Sequence, residues 1–385
     1  RQVARALGVN DVDVFCDLKY MTIASDTSVT IVSPLPRKVP MGKMNDIMAA
    51  VNRTLEVPDG PSPQDLGRLS HFVHTCLTSD PLYPPWTYCV GTALISVGYC
   101  PIFGGGWNEV LVAGVVGGLT GVGTHWSRLT NFESFFMIVL GMIATLTCLA
   151  VHTHICSIHV VTTALSILMW WLPGLPIYTS ISHIAHGYSE AGTGVLIKSL
   201  AVCFMLAFGM GLGFAFGQLL HLDASDIYHT PTMPISATLH PVFIAVATAG
   251  AAVLKQAHPT NFLQLYTAAM AGFYATTTAQ PYLQSFSPVC GGFSLQLCMT
   301  LYNLLTGQPQ FPLLVLGLLP IVPGSTALQS VFVNLEPGQH QQGLSSSTAF
   351  LGQMFMISFS IYIGQTTCLF MFGWLRNKKM EPFVH

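Results

Sequence analysis

Apolar and polar residues are patterned in two different ways along the chain. Up to residue 76 the apolar runs are short: residues 12–16, 20–24 and 29–32 predict strands, and residues 41–55 and 63–76 carry apolar side chains at helical spacing. From residue 86 onward, long apolar runs dominate. The pattern predicts a small α/β domain and linker over residues 1–85, followed by a membrane domain.

The membrane part divides into ten apolar spans, some of them shorter than the ~20 residues that a straight crossing needs. They cover residues 86–103, 107–124, 135–151, 155–172, 195–216, 239–254, 262–279, 282–305, 311–322 and 348–374. The predicted fold is therefore mainly α and polytopic, with about ten transmembrane helices. We assign residues 86–216 to a first group of five helices, 217–237 to an outer linker, 238–375 to a second group of five and 376–385 to a cytosolic tail.

The two groups share a helix-breaking signal. Leu172-Pro173-Gly174 ends the fourth span, and Val322-Pro323-Gly324 ends the ninth. Each break is followed by a polar stretch and then by a long final span. Because five is an odd number, two such repeats must lie in opposite orientations, and the sequence predicts the inverted repeat of many secondary transporters.

Charge supports a membrane domain and sets its orientation. Charged residues make up only 8% of the chain, and residues 1–85 hold 8 of the 14 basic and 9 of the 16 acidic ones. This composition excludes a soluble enzyme, a disordered chain and a nucleic-acid-binding protein. With residues 1–85 inside, all six remaining basic residues fall on the cytoplasmic side, as the positive-inside rule requires. Both termini are therefore predicted to be cytosolic.

Short motifs in a fixed order connect the chain to a known family. The motifs are Arg1-Gln2-Val3-Ala4-Arg5-Ala6-Leu7-Gly8-Val9 with Val14-Phe15, Tyr83-Pro84-Pro85-Trp86, Phe103-Gly104-Gly105-Gly106-Trp107, and the two Pro-Gly breaks with Gly187 and Gly364. In this order they resemble the threonine/serine exporter family, including its fungal pheromone-regulated membrane protein branch. Because Arg1 lies in what resembles the middle of the family's first helix, we expect the chain to be N-terminally truncated.

The resemblance implies a cytosolic α/β domain, ten spans and export of small polar metabolites. Threonine and serine are the expected substrates, driven by an ion gradient with H⁺ as the coupling ion. The family pattern has an acidic residue ten positions after the first Pro of the motif, where this chain has His183. His183 would therefore have to replace that acid in proton coupling. The expected partners are the substrate, the bilayer and a homo-oligomeric copy, in the plasma membrane or an organelle such as the vacuole.

The candidate substrate path lies at the two breaks. Backbone groups freed by Pro and Gly are acceptable in a membrane only where protein or water satisfies them. The polar residues next to each break would then border the path. The predicted set is Pro173, Gly174, Thr179, Ser180, His183, Pro323, Gly324, Ser325 and Thr326.

One cluster has the residue types of a metal site. His152, His154, Cys156 and His159 lie at the junction of the third and fourth spans and would suit zinc or copper, although their spacing matches no metal motif. Interfacial histidines are the preferred explanation of the cluster, and no metal site is assigned. The chain contains no motif of an enzyme active site, and we expect no cofactor and no enzymatic activity.

Two other functions stay open. One is export of a small dicarboxylate such as succinate, which should require a buried Arg or Lys that the spans lack. The other is a membrane scaffold or sensor that transports nothing, for which paired breaks in two halves would have no use.

Overall fold

The computed structural model describes most of the chain. The described residues are 12–16, 21–25, 28–32, 40–55, 62–130, 133–222, 233–306, 311–322, 324, 328 and 340–376. Pro323, Ser325 and Thr326, together with residues 1–9, which resemble part of the family's first helix, lie outside them.

The N-terminal part begins with three short antiparallel strands. They are β1 (Val12–Cys16), β2 (Met21–Ser25) and β3 (Ser28–Val32). The sheet order is β1-β2-β3, and the register places Val14 opposite Ile23 and Ile23 opposite Thr30. Two helices follow, α1 (Met41–Leu55) and α2 (Pro63–Thr78), and α2 begins with a capping box between Ser62 and Asp65. That these pieces form one α/β domain stays a prediction.

The rest of the described chain is helical. Its helices are α3 (Thr87–Tyr99), α4 (Trp107–Thr130), α5 (Glu133–His154), α6 (Val160–Leu168), α7 (Gly174–Ala185), α8 (Ser189–Leu219), α9 (His240–Leu254), α10 (Phe262–Leu283), α11 (Pro288–Thr306), α12 (Phe311–Leu318) and α13 (His340–Arg376).

Five of the described helical segments are long and apolar enough to cross a membrane. They are Phe135–His154, Ser189–Leu219, Ala237–Leu254, Pro288–Thr306 and Gly352–Phe372. The pair Val160–Trp171 and Gly174–Ala185 makes a sixth if the two bent pieces are one span. Helices α3 and α12 have only 13 and 8 residues, and both are short for an independent crossing. The chain is therefore a multi-pass membrane protein, and the full count of ten spans stays a prediction.

A stripe of exposed apolar side chains marks a surface that faces lipid. On α4, Leu111, Val115, Leu119 and Val122 are all more than half exposed. Their spacing of three and four residues puts them on one face of the helix. The opposite face of α4 carries Ala113, Val116 and Gly117, which are buried against the rest of the protein. This reversed distribution, with large apolar groups outside, is what a bilayer requires.

Helices in the membrane part meet through glycine. At the contact of α5 with α8, a Cβ added at Gly209 would lie under 3.0 Å from the carbonyl oxygen of Ile138. At the contact of α11 with α13, a Cβ added at Gly364 would lie equally close to the carbonyl oxygen of Val289. In both cases the obstacle is backbone, which cannot move aside as a side chain can. These positions allow the close backbone approach that holds helices together in lipid.

The N-terminal helices dock on the connection after α9. The first N–H groups of α1, at Met41 and Gly42, donate to the carbonyls of Lys255 and Gln256 over 2.9 and 3.0 Å. The C-terminus of α9 thus satisfies the unpaired N-terminal donors of α1. The side-chain amide of Gln256 also holds both backbone groups of Tyr83, accepting from its N–H at 2.7 Å and donating to its carbonyl at 3.2 Å. Hydrogen bonds therefore connect α1 and the segment around Tyr83 to the end of α9 in the membrane part.

We expect Gly364→Ala to lower the stability of the protein in detergent by about 1–3 kcal/mol, because the new methyl group would push α13 away from α11. The measurement is the apparent Tm of the purified variant. Gly352→Ala is the matched control on the same helix, since no atom of the described residues lies within 4 Å of a Cβ added there. Equal Tm values for the two variants would contradict the close contact.

Candidate functional site

The two Pro-Gly breaks meet inside the protein. The 3-10 turn Met169–Trp171 ends α6, and α7 begins at Gly174 after a bend of 55°. A Cβ added at Gly174 would lie 2.8 Å from the backbone nitrogen of Gly324, and one added at Gly324 would lie 3.1 Å from the nitrogen of Gly174. Both glycines are buried. The backbones of the two breaks are thus in direct contact, and a side chain at Gly174 would have to displace backbone atoms.

The side chains next to the first break have separate roles. The Thr179 and Ser180 hydroxyls donate to carbonyls of their own helix, at Pro176 over 3.0 Å and at Ile177 over 2.6 Å. His183 is exposed near the end of α7. It follows Gly174 by nine residues, which is ~13 Å along a helix. Of the predicted residues, the structure brings Gly174 and Gly324 together and leaves His183 at a distance.

A polar seam that the sequence reading missed lies between α7 and α13. It consists of Tyr178, Ser182 and His186 of α7 with Tyr362 and Gln365 of α13. The hydroxyl of Tyr178 donates to Oε1 of Gln365, and Ser182 also hydrogen-bonds to Tyr178. The rings of His186 and Tyr362 contact edge to face at 5.4 Å between centroids. The sequence contains a signal for this seam: four residues are spaced by four along the chain, which puts them on one face of a helix. They are Gly174, Tyr178, Ser182 and His186.

A small cavity lies beside the second break. It opens between α3, α9, α10 and the end of α12, where Leu319 and Pro320 precede the break. Its walls are almost entirely apolar, and Tyr99 and Thr248 contribute the hydroxyl groups. The space around the breaks is therefore polar on the α7 side and apolar on the α12 side.

Glu109 is the one carboxylate that is buried among the residues whose side chains are described, and it is another residue that the sequence reading missed. Its Oε2 accepts from the N–H of Gly106 at 3.0 Å, and its Oε1 accepts from the N–H of His159 at 3.0 Å. The first bond is the N3-to-N-cap half of a capping box at the start of α4. The second ties that end of α4 to the start of α6. Glu109 thus positions the helix that leads to the first break.

The proposed metal cluster is not assembled. Nδ1 of His152 lies 2.8 Å from the carbonyl oxygen and 3.2 Å from the backbone nitrogen of Ile158, and Nδ1 of His159 accepts from the N–H of Thr162 at 3.2 Å. His154 is exposed and Cys156 is half-buried. Across the described residues, no three His, Cys, Asp or Glu side chains are grouped so that they could hold a metal ion. The histidines instead cap and brace the connection between α5 and α6.

His159 is a neutral helix cap. Burial lowers the pKa of His159 below its ordinary value of 6.5, and this effect outweighs the nearby charge of Glu109, which favours the protonated form. The neutral ring is also the form that can accept the N–H of Thr162. Protonation would remove this acceptor at the first turn of α6.

The described geometry is that of a multi-pass membrane protein, with apolar helices, two breaks in contact and polar groups behind them. The family profile described as "Putative threonine/serine exporter" matches residues 1–217, which is more than half of the chain. The chain belongs to the threonine/serine exporter family. The fungal branch of the family stays a prediction.

The comparison with curated proteins adds one relative. The chain is similar to "Uncharacterized protein C16A10.01" of Schizosaccharomyces pombe, with 21% identity over 263 residues. The match covers 65% of this chain and 31% of that protein, so the chain spans less than a third of its relative's length. No solved structure matches the chain.

We expect Glu109→Gln to destabilise the protein by about 1–3 kcal/mol, because an amide can accept at one oxygen only and leaves a buried N–H unpaired. The apparent Tm in detergent measures the effect. Glu190→Gln is the control, since Glu190 is an exposed acid in the first turn of α8. Equal losses in the two variants would show that Glu109 holds nothing in place.

The lowered pKa of His159 predicts how stability depends on pH. The unfolded chain takes up a proton on this ring as the pH falls through 6.5, while the folded protein resists until a lower pH, so stability declines over this interval. His159→Asn keeps a capping acceptor but cannot titrate. We expect its apparent Tm to fall less between pH 7 and pH 5.5 than that of the wild type. The control is His154→Asn, at an exposed ring, and parallel curves for all three proteins would refute the assignment.

Proposed function

We propose that this protein is a secondary-active exporter of threonine, serine and related small hydroxy amino acids. Its membrane domain would be two inverted repeats of five helices, with one substrate path where the two breaks meet. The observation that carries the proposal is the direct contact of Gly174 with Gly324, in a chain that belongs to the threonine/serine exporter family. Broken helices in contact near the centre of a membrane domain offer helix ends to a dipolar solute.

The repeat is supported by matching contacts in the two halves. In the first, Gly141 approaches the carbonyl of Leu206, and Gly209 approaches that of Ile138. In the second, Gly292 approaches the carbonyl of Ile361, and Gly364 approaches that of Val289. Corresponding positions lie 151 residues apart between α5 and α11 and 155 residues apart between α8 and α13. Two contacts that recur in both halves in this way are what duplication of one unit would produce.

A second set of contacts falls between the halves. A Cβ added at Gly98 would lie 2.6 Å from the carbonyl oxygen of Phe243, and one added at Gly250 would lie 2.6 Å from that of Gly91. A shift of 152 residues converts each of these contacts into the other. A shift of 150 residues relates Gly174 to Gly324 in the same way. In an inverted repeat, contacts that map onto themselves would lie on the pseudo-two-fold axis, and the crossing of α3 with α9 and the paired breaks support the proposal in this way.

The inverted arrangement would also account for the number of spans, the side on which the termini lie and the residues that border the path. Two repeats of five helices give ten spans and put both termini on one side, which the placement of basic residues identifies as the cytosol. The path would be bordered by Pro173, Gly174, Thr179 and Ser180 on one side and by Pro323, Gly324, Ser325 and Thr326 on the other. His183, exposed near the end of α7, is accessible to water and would carry the coupling proton.

The charges favour a zwitterion over a dicarboxylate. A dianion in a low-dielectric site should be met by a buried cation. No Lys or Arg is buried among the side chains that the structure describes. One carboxylate of an amino acid can instead be met by a helix N-terminus, and the amino acid brings its own cation.

We expect Gly174→Leu to abolish uptake of labelled serine and threonine into proteoliposomes under a pH gradient, because the side chain would fill the contact between the breaks. Gly174→Ala should reduce the flux less. Gly352→Leu is the control on α13, at a glycine that faces open space. Labelled succinate serves as the competing substrate.

Three results would count against the proposal. Wild-type flux in both Gly174 variants would exclude a path at the breaks. Transport of succinate alone would select the dicarboxylate. An absence of flux with every solute in a well-inserted wild-type protein would support a scaffold or sensor.

A further inference from the structure

Gln365 is a buried amide with a polar atom that nothing satisfies. The side chain is 7% exposed, and its Oε1 accepts the hydroxyl of Tyr178, which is 3% exposed. Its Nε2 is fully buried and has no hydrogen-bond partner among the described residues. If the amide is turned round, Oε1 becomes the unpaired atom instead, so one polar atom stays unsatisfied in either orientation. Buried polar atoms of this kind are rare in folded proteins and call for an explanation.

The unpaired atom is costly, and a simple substitution would remove the cost. Leu or Met would fill the same volume on α13 without a polar group, and membrane helices accept both readily. The bond to Tyr178 accounts for Oε1 of Gln365 but leaves Nε2 unexplained. Structure alone therefore does not explain a glutamine at this position. A ligand that accepts a hydrogen bond from Nε2 does explain it, since the penalty would then apply only to the empty protein.

The place of the amide connects it to the breaks. Tyr178, which holds Gln365, lies one helical turn after Gly174 on the same face of α7. From there the polar seam continues through Ser182 to His186, which is exposed at the end of the helix. On α13, the hydroxyl of Ser358 is also buried without a partner, two turns before Gln365 and on the same face. The unpaired polar atoms of Ser358 and Gln365 thus lie on one side of α13.

We propose that Gln365 is a specificity-determining residue that donates a hydrogen bond from Nε2 to the side-chain hydroxyl oxygen of the transported amino acid. This inference rests on the proposed function. The amide is a neutral donor in surroundings without a buried cation, so it suits a neutral oxygen better than a carboxylate. Tyr178 is the positioning residue, because its hydroxyl fixes which end of the amide points away from α7.

A donor that stays unpaired in the empty site discriminates strongly. A substrate without the hydroxyl would leave the buried Nε2 unsatisfied in the complex, so the site rejects it by more than the loss of one contact. Serine should therefore be preferred over alanine, and threonine over valine. The preference should depend on residue 365 and not on the overall capacity of the transporter.

The test compares serine with alanine in proteoliposomes that contain the full chain. We expect Gln365→Met to reduce the serine-to-alanine ratio of kcat/KM by at least about tenfold while alanine flux is retained. Gln365→Asn keeps the amide but shortens it, and should reduce the ratio too, so a folding failure of one variant leaves the other as a test. Tyr178→Phe should lower the ratio partially, because the amide loses the bond that orients it.

The controls separate recognition from structure. Gln296→Met removes a buried glutamine from α11, outside the polar seam, and should leave the ratio unchanged. The apparent Tm of Gln365→Met should stay close to that of the wild type, because the variant removes one unsatisfied group, Nε2, and deprives another, the Tyr178 hydroxyl, of its acceptor. If the ratio is unchanged in the Gln365 variants while the wild type transports serine, the inference fails and the proposed function stands. If the wild type transports no amino acid, the proposed function fails and the inference fails with it.

Discussion

In a lipid bilayer two helices gain nothing by burying apolar side chains against each other, because the lipid is equally apolar. What remains is the closeness of backbone to backbone, which only the smallest residues permit. In this protein Gly141, Gly209, Gly292 and Gly364 supply that closeness where α5 crosses α8 and where α11 crosses α13. A Cβ at any of these positions would meet a carbonyl oxygen of the neighbouring helix. The other contacts of the membrane part depend on these crossings, because they set the distances between the helices that carry the site.

The same constraint explains why the breaks can exist. A helix that stops inside a membrane leaves backbone groups without partners, and lipid cannot supply them. Gly174 and Gly324 solve part of this problem by placing the two interruptions against each other, where the surroundings are protein. Nearby polar atoms stay unpaired, however, and among the described residues the indole nitrogen of Trp171 is one of them. The breaks are thus sheltered from lipid but not fully satisfied, which is the condition expected of a place that receives a polar solute.

The sequence predicted much of the frame and less of the site. The lengths of the apolar runs located the five helical segments that can cross a membrane, because the length of an apolar run is a property of a single segment. The Pro-Gly motifs located the breaks for the same reason. Glu109, Tyr178 and Gln365 were missed because their importance comes from pairing across the chain: Tyr178 and Gln365 are separated by 187 positions, and Glu109 and His159 by 50. The histidine cluster is the opposite case. Its residues are close in sequence, but His152 and His159 contact the local backbone and do not share a ligand.

The two halves match in their contacts but not in their chemistry, and this difference bears on how the protein would recognise a solute. One turn after Gly174 is Tyr178, which holds the amide of Gln365, whereas one turn after Gly324 is Leu328, which is fully buried. Duplication, as proposed above, would give both halves the same scaffold, but the proposed substrate has one hydroxyl side chain and needs one place that recognises it. A polar seam on both sides would leave a second set of buried donors unpaired in every state of the protein. Because the polar seam occurs only between α7 and α13, the number of unsatisfied groups is limited to those that can hydrogen-bond to one solute molecule.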